Sequence, residues 1–231
     1  MYFLLTISFL KFVGVTFAAP PNTLEHPSKN EVNPYDFPFV TRSEWKARMA
    51  KQTQPLKTPV PYVVIHHSYT PGACTTKVQC IKAMQNMQNF HMDDRDWWDI
   101  GYNYAVGGDG AAYEGRGWDI LGAHALHFNS VSIGICIIGD WRSELPPKQQ
   151  LETAKALIAA GVKLGRISSE YKLVGHRQVR DTECPGDALY NEIKKWDHYS
   201  DHPTCTGDLL TMPEISDKVK DVILGNSTYD D

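Results

Sequence analysis

The run Val131-Ser132-Ile133-Gly134-Ile135-Cys136-Ile137-Ile138 carries no charge and only one side-chain hydroxyl. A strand with one face in water alternates apolar and polar residues, so a stretch this uniformly apolar reads as a strand covered on both faces. A chain built around such a strand must place layers above and below it, and the remaining segments supply them. Tyr62-Val63-Val64-Ile65 and Lys172-Leu173-Val174 read as further apolar strands. Thr76 and Gln79 can cap a helix whose Ile81, Met84, Met87 and His91 recur at helical spacing. Pro146 and Pro147 open a long helix with Leu151, Ala154, Leu157, Ile158 and Leu164 as its core stripe, ended by Gly165. Leu189, Ile193 and Trp196 give a last helix its inward face. Strands interleaved with helices predict an α/β fold, a mixed central sheet flanked by about three main helices.

Local signals refine this order. Thr41 and Glu44 have capping-box spacing for a short helix at the domain start. Pro55, Pro59 and Pro61 keep the chain extended before the first apolar strand. Tyr102–Val106 leads through Gly107-Gly108-Asp109-Gly110 into Ala111–Glu114, a hairpin in which Asp109-Gly110 suits a primed turn with positive φ at both central residues. A phosphate-binding glycine loop would need a helix after it, and no helical pattern follows.

The chain has 231 residues, enough for one sizeable domain with tails, and its formal charge of −4 gives no ground for a nucleic-acid partner. Residues 1–18 run from an apolar stretch to the small residues Ala18-Ala19, the pattern of a secretory signal peptide cut after Ala18. No basic residue precedes that stretch, and Lys11 interrupts it. Residues 19–36 are rich in Pro, Asn and charge and read as a flexible leader; 37–200 form the domain and 201–231 a polar tail. With the N-terminus so explained, no segment is long enough to span a membrane. The protein is expected to be secreted. Asn226-Ser227-Thr228 is a glycosylation sequon, Cys136 reads as a buried small apolar residue, and Cys205 is left over in the tail.

The chemistry gathers in Gly175-His176-Arg177-Gln178-Val179-Arg180-Asp181-Thr182-Glu183-Cys184-Pro185-Gly186. Imidazole nitrogen and thiolate sulfur are donors that zinc favours, and His176 with Cys184 makes half a site. The third donor is sought in His66-His67, at the end of the first apolar strand. Adjacent strand residues point to opposite faces, so both cannot ligate one ion in regular geometry, and periodicity does not choose between them. Three protein donors would leave one tetrahedral position for water, the arrangement of a catalytic zinc. A papain-like reading, with Cys184 as nucleophile and His176 as base, is opposed by Pro185 and by the absence of that family's local cysteine signature.

That loop, with His66-His67-Ser68, Asp99-Ile100-Gly101-Tyr102 and Gly122-Ala123-His124, resembles the peptidoglycan recognition proteins. Within them it is similar to the zinc amidase members, which are themselves similar to T7-type phage lysozyme. The resemblance covers Phe37 to Tyr199, with the motifs in the family's order and at its spacing. It implies zinc held by His66, His176 and Cys184, with His67 structural beneath the site. It also implies a catalytic Tyr102, whose phenol would donate to the developing oxyanion, and Thr182 at a position where phage enzymes carry lysine. Cys74 and Cys80 flank a short loop and match the family's disulfide pair.

The implied activity is that of an N-acetylmuramoyl-L-alanine amidase in innate immunity, cutting the amide between the muramyl lactyl group and L-alanine. Its partner would be bacterial peptidoglycan or muropeptides, held in a groove lined by Trp97, Tyr102, His124, Asn129 and Arg142. Arg142 could pair bidentately with a carboxylate. Family members that prefer diaminopimelate peptides usually carry Gly-Trp before Asp-Ile-Gly-Tyr, and this chain has Asp96-Trp97. The tryptophan and Arg142 favour diaminopimelate-type peptides, whereas the Asp96 carboxylate would repel one unless it turns away. A peptidoglycan receptor without catalysis is the competing expectation, but receptor members of the family usually lack the metal cysteine, and Cys184, His66, His176 and Tyr102 are all present here.

Overall fold

A computed structural model describes residues 35–201. The expected signal peptide, nearly all of the leader and nearly all of the polar tail, Cys205 and the Asn226 sequon included, lie outside the described residues. The strands are β1 (Phe39–Val40), β2 (Val60–His67), β3 (Tyr104–Val106), β4 (Ala112–Glu114), β5 (Ser132–Ile137) and β6 (Ile167–Gly175). The helices are α1 (Lys77–Asn89), α2 (Lys148–Lys163) and α3 (Asp187–Ile193). The strands form one sheet in the order β1-β4-β3-β5-β2-β6. Only β3 and β4 pair antiparallel, so the sheet is mixed, as the interleaving of strands and helices predicts.

Strand β5 lies inside this sheet with β2 and β3 as neighbours, and every one of its residues is buried. Its alternate side chains serve two cores. Ile133, Ile135 and Ile137 join Val63, Ile65 and Leu173 under the α2 stripe of Leu151, Ala154, Leu157 and Ile158. Cys136 and Ile138 join the other face, where Met84 and Met87 of α1 pack with Ala105 and Tyr113. Three isoleucines buried on one face, at about 25 cal/mol per Å², and small side chains covered on the other make this strand the anchor of the fold. Leu164 is the exception to the predicted stripe: it falls on the C-cap of α2 and is 49% exposed, just before Gly165 leaves the helix at φ +66°.

The Thr41–Glu44 box forms, with Glu44 accepting from the Thr41 N–H at 2.8 Å and Thr41 Oγ1 accepting from the Glu44 N–H at 3.3 Å. It closes a turn and no helix, because Lys46 takes φ +57° directly afterwards. Thr76 caps α1 as its sequence indicates. In the hairpin, positive φ occurs at Gly110 and not at Asp109, which corrects the primed-turn expectation. The Asp109 carboxylate explains the difference: it accepts from the Ala111 N–H at 3.2 Å and from the Tyr113 hydroxyl at 2.6 Å, holding a longer loop. Cys74 and Cys80 are joined by a disulfide at the start of α1. Among the described residues no helix is long and apolar enough to cross a membrane.

Candidate metal centre and cleft

Three parallel strands, β5, β2 and β6, lie side by side, and the site occupies their carboxyl ends, where open α/β sheets place their ligands. Strand alternation puts His66 on the face of Tyr62 and Val64, while Val63 and Ile65 face α2. His176 follows β6 at once, in a short 3-10 turn. Cys184 returns eight residues later, and this return is fixed by Arg177. The Arg177 N–H donates to the Cys184 carbonyl at 2.9 Å, and its guanidinium bonds the Glu183 carbonyl and pairs with Asp187 at 2.6 Å. Gly186 then turns the chain into α3 at φ +90°, where a Cβ would sit 2.4 Å from the Trp141 carbonyl oxygen.

The result is one cluster. His66, His176 and Cys184 each offer a ligand atom, all within 4.8 Å of one another. His66 Nδ1 is 3.8 Å from Cys184 Sγ, and the His66 and His176 rings are 4.3 Å apart. A tetrahedral zinc with bonds of about 2.0 Å to nitrogen and about 2.3 Å to sulfur would separate such a pair by about 3.5 Å, close to the 3.8 Å between His66 Nδ1 and Cys184 Sγ. Burial keeps both imidazoles neutral: His66 is driven well below its ordinary value, and His176 is pushed down to about 4 by burial and then by Arg180. Burial pushes the Cys184 thiol up to about 12, against the opposing pull of the His67 N–H and the Arg177 charge. Two bare imidazole nitrogens and a thiol that ionises only beside added positive charge are a donor set suited to a cation. His67 stands apart from them. Its Nδ1 accepts from the Trp141 N–H at 3.3 Å, and its own N–H reaches Cys184 Sγ at 3.4 Å.

The cluster lies at the floor of a cleft of about 570 Å³ whose walls include Tyr69, Phe90, His91, Arg95, Trp97, Tyr102, Arg142 and Thr182. Tyr102 packs its ring against His66 and His91, with centroids at 5.3 and 5.7 Å. Burial, then the nearby Cys136 and Cys184, raise its phenol far above the ordinary value, so it remains a donor. Its approach is set by Asp99, which accepts from Gln88 at 2.6 Å and from the Ile100 N–H at 2.8 Å and pairs with Arg42 at 2.9 Å. Thr182 Oγ1 accepts from the Cys184 N–H at 3.2 Å, so this hydroxyl both caps the loop and faces the cleft.

The other groove residues divide. Trp97 stacks on His91 at 4.7 Å and forms one wall. Arg142 also lines the cleft, over the Tyr69 ring at 4.6 Å, with its fork occupied by Asp140 through Nε at 3.0 Å and Nη2 at 2.8 Å. His124 is buried on the floor beside His66. Asn129 is not among the lining residues; its carboxamide oxygen takes the His124 and Ala125 N–H groups at 2.9 and 2.8 Å. Asp96 pairs with Lys51 at 2.6 Å, which neutralises the carboxylate beside Trp97.

Two residues escape a sequence reading. His91 reads as part of the α1 stripe, but a π-helical turn over Phe90–Asp94 follows α1, and His91 lines the cleft. The Gly101 N–H donates to its Nδ1 at 3.2 Å. Arg116 lies past the end of the hairpin, is buried and donates to the Ile100 and Leu121 carbonyls at 2.7 Å each. Its charge reaches both His91 and His124 and lowers their pKa.

Comparison with known proteins decides the family. The N-acetylmuramoyl-L-alanine amidase family pattern matches residues 56–187. Peptidoglycan-recognition protein LB of Drosophila melanogaster is 54% identical over 162 residues, 70% of each chain. The chain belongs to the peptidoglycan recognition protein family, amidase type. A second family member, protein SC2 of the same fly, is 46% identical over 161 residues, 70% of this chain and 87% of that one. The solved structure of wild-type Drosophila PGRP-LB superposes with a TM-score of 0.69 at 54% identity, covering 70% of this chain and 95% of that one. Family member PGRP-LE, solved in complex with tracheal cytotoxin, a monomeric diaminopimelic acid-type peptidoglycan, gives a TM-score of 0.69 at 42% identity over 71% of this chain and 96% of that one.

Proposed function

We propose that this family member is a secreted, zinc-dependent N-acetylmuramoyl-L-alanine amidase. It binds bacterial peptidoglycan, diaminopimelate-type muropeptides by preference, and hydrolyses the amide joining the lactyl group to L-alanine of the stem peptide. The observation that carries this reading is the meeting of His66, His176 and Cys184 on the floor of an open cleft beside Tyr102. These three side chains would hold the ion, and zinc bound there supplies Lewis acidity and lowers the pKa of water from ~16 towards ~7.

The protein's own groups account for the rest. Neutral His66, buried, and neutral His176, half-buried, keep their lone pairs available, and Arg177 eases loss of the Cys184 proton. The Tyr102 phenol, held in its protonated form, donates to the carbonyl oxygen as it gathers negative charge. The Thr182 oxygen already accepts from Cys184, which leaves its hydrogen free to orient water or the departing amine. Trp97 offers a flat apolar face to sugar or peptide methylenes. The diaminopimelate preference is supported by the relatives solved with tracheal cytotoxin and by the neutralisation of Asp96 by Lys51.

The test is release of free stem peptide from purified muropeptide, followed by mass spectrometry with zinc and with a chelator. Cleavage that needs zinc is the expected result. Tight binding of muropeptide with no cleavage in saturating zinc would replace the enzyme by a receptor. Export is checked by sequencing the N-terminus of protein collected from culture medium, which should begin at Ala19.

A further inference from the structure

His66 presents two nitrogens to two different neighbours. Nδ1 faces the donor cluster, 3.8 Å from Cys184 Sγ, and Nε2 faces away from it, 3.0 Å from His124 Nδ1. The two rings meet edge to face at 82°, with centroids 5.0 Å apart. A neutral imidazole carries one N–H and one bare nitrogen. If Nδ1 is bare for a metal, the proton must sit on Nε2, and there it points at His124 Nδ1 as acceptor.

We propose that His124 is a positioning residue for the metal centre, accepting a hydrogen bond from His66 Nε2–H and so fixing His66 Nδ1 as the nitrogen offered to the ion. This rests on the reading of the cluster as a zinc site. The fold commits unusual local structure to holding the His124 ring. Gly134 interrupts the β-branched run of β5 where a Cβ would lie 2.3 Å from His124 Cγ, and at Gly122 a Cβ would lie 2.5 Å from His124 Cδ2. Glycine inside a strand costs packing and marks a close approach, here that of an imidazole. The Asn129 carboxamide oxygen fixes the backbone, taking the His124 N–H at 2.9 Å. His124 Nε2 is buried, and the Ser132 backbone acts as acceptor for the ring's proton, which leaves Nδ1 to accept from His66.

Ligating histidines usually lean on a carboxylate or a backbone carbonyl, and losing such a partner typically weakens metal binding by 10–100-fold. A neutral imidazole in that place orients His66 without adding negative charge to the site.

Zinc affinity of the full chain, measured by competition with a chromophoric chelator, tests this in three proteins. The unsubstituted chain should bind zinc, His124→Phe should bind it roughly 10–100-fold more weakly, and His124→Asn should recover most of the loss, because its side-chain oxygen can stand where Nδ1 stood. Imidazole nitrogen NMR of the unsubstituted, metal-free chain supplies a second readout and should find His66 protonated on Nε2. A folded His124→Phe protein with unchanged zinc affinity would overturn the proposal, as would a His124→Asn protein no better than the phenylalanine variant. A lowered muropeptide affinity with zinc affinity intact would overturn it as well, by making His124 a groove contact. Should His124→Phe fail to fold, the tautomer decides: a His66 proton on Nδ1 sinks the idea. No zinc uptake by the unsubstituted chain would remove the metal reading itself, a result separable from all of these.

Discussion

His66 and Cys184 are 118 positions apart in the chain, yet His66 Nδ1 and Cys184 Sγ lie 3.8 Å from each other. Two devices bring this about: the register that pairs Ile65 of β2 with Gly175 of β6, and the Arg177 clamp that brings the loop after β6 back on itself. The thiol is therefore delivered to the end of β2 by backbone pairing and one guanidinium, and the consequences can be measured.

Cys184→Ser exchanges a soft donor for a hydroxyl that does not ionise near neutral pH. The expected outcome is a folded protein that has lost zinc, by elemental analysis after dialysis, and has lost amidase activity with it. Full zinc occupancy in this variant would remove Cys184 from the ligand set.

Tyr102→Phe keeps the ring between His66 and His91 and deletes only the hydroxyl. Zinc content should be unchanged, and turnover of muropeptide should fall by ~100-fold or more, as when one oxyanion donor is removed. Turnover equal to that of the unsubstituted protein would show that the phenol takes no part.

Gly134→Ala places a methyl group where the His124 ring already sits, 2.3 Å from Cγ. Neither the central strand nor the ring has free space, so overpacking should cost about 1–3 kcal/mol in denaturant unfolding. Stability within 0.5 kcal/mol (roughly the usual noise of a neutral surface change) would mean that the ring moves freely.

His91 makes stability depend on pH. Burial, then the Arg116 charge, push it down to about 4, below the ~6.5 of an unfolded chain. Between those values the unfolded state binds the extra proton, so stability falls as pH drops from 6.5 towards 4 and the loss is absent above 6.5. His91→Gln should reduce the stability difference between pH 7 and pH 4.5 by about 2–3 kcal/mol, read from denaturant unfolding of the metal-free protein at both pH values. An identical pH dependence in the two proteins would count against a buried, neutral His91.

The sheet was legible because β5 must be covered on both faces, and a residue pattern with that requirement leaves few architectures. The metal donors were legible in type but not in choice. Alternation alone puts His66 on the face of Tyr62 and Val64, but nothing in the sequence says which face of β2 meets His176 and Cys184 until the strand takes its place between β5 and β6. Asp109-Gly110 forms no primed turn because the carboxylate accepts from the Ala111 N–H and the Tyr113 hydroxyl, contacts that the dipeptide alone does not reveal. Leu164 misled because helical spacing continues past the point where the helix still faces the core. His91 and Arg116 were hidden for a different reason. Each is placed by tertiary geometry, a π turn in one case and two distant carbonyls in the other, and local pattern carries neither.

The bond from the Trp141 N–H to His67 Nδ1 has a meaning beyond holding a loop. A slip of β2 by a single residue would turn every side chain over and present His67 in place of its neighbour, a histidine equally able to bind a cation. Trp141 meets the wrong histidine and ties it down. The tandem pair thus contains a ligand and its impostor, and the latch on the impostor defends the identity of the ligand.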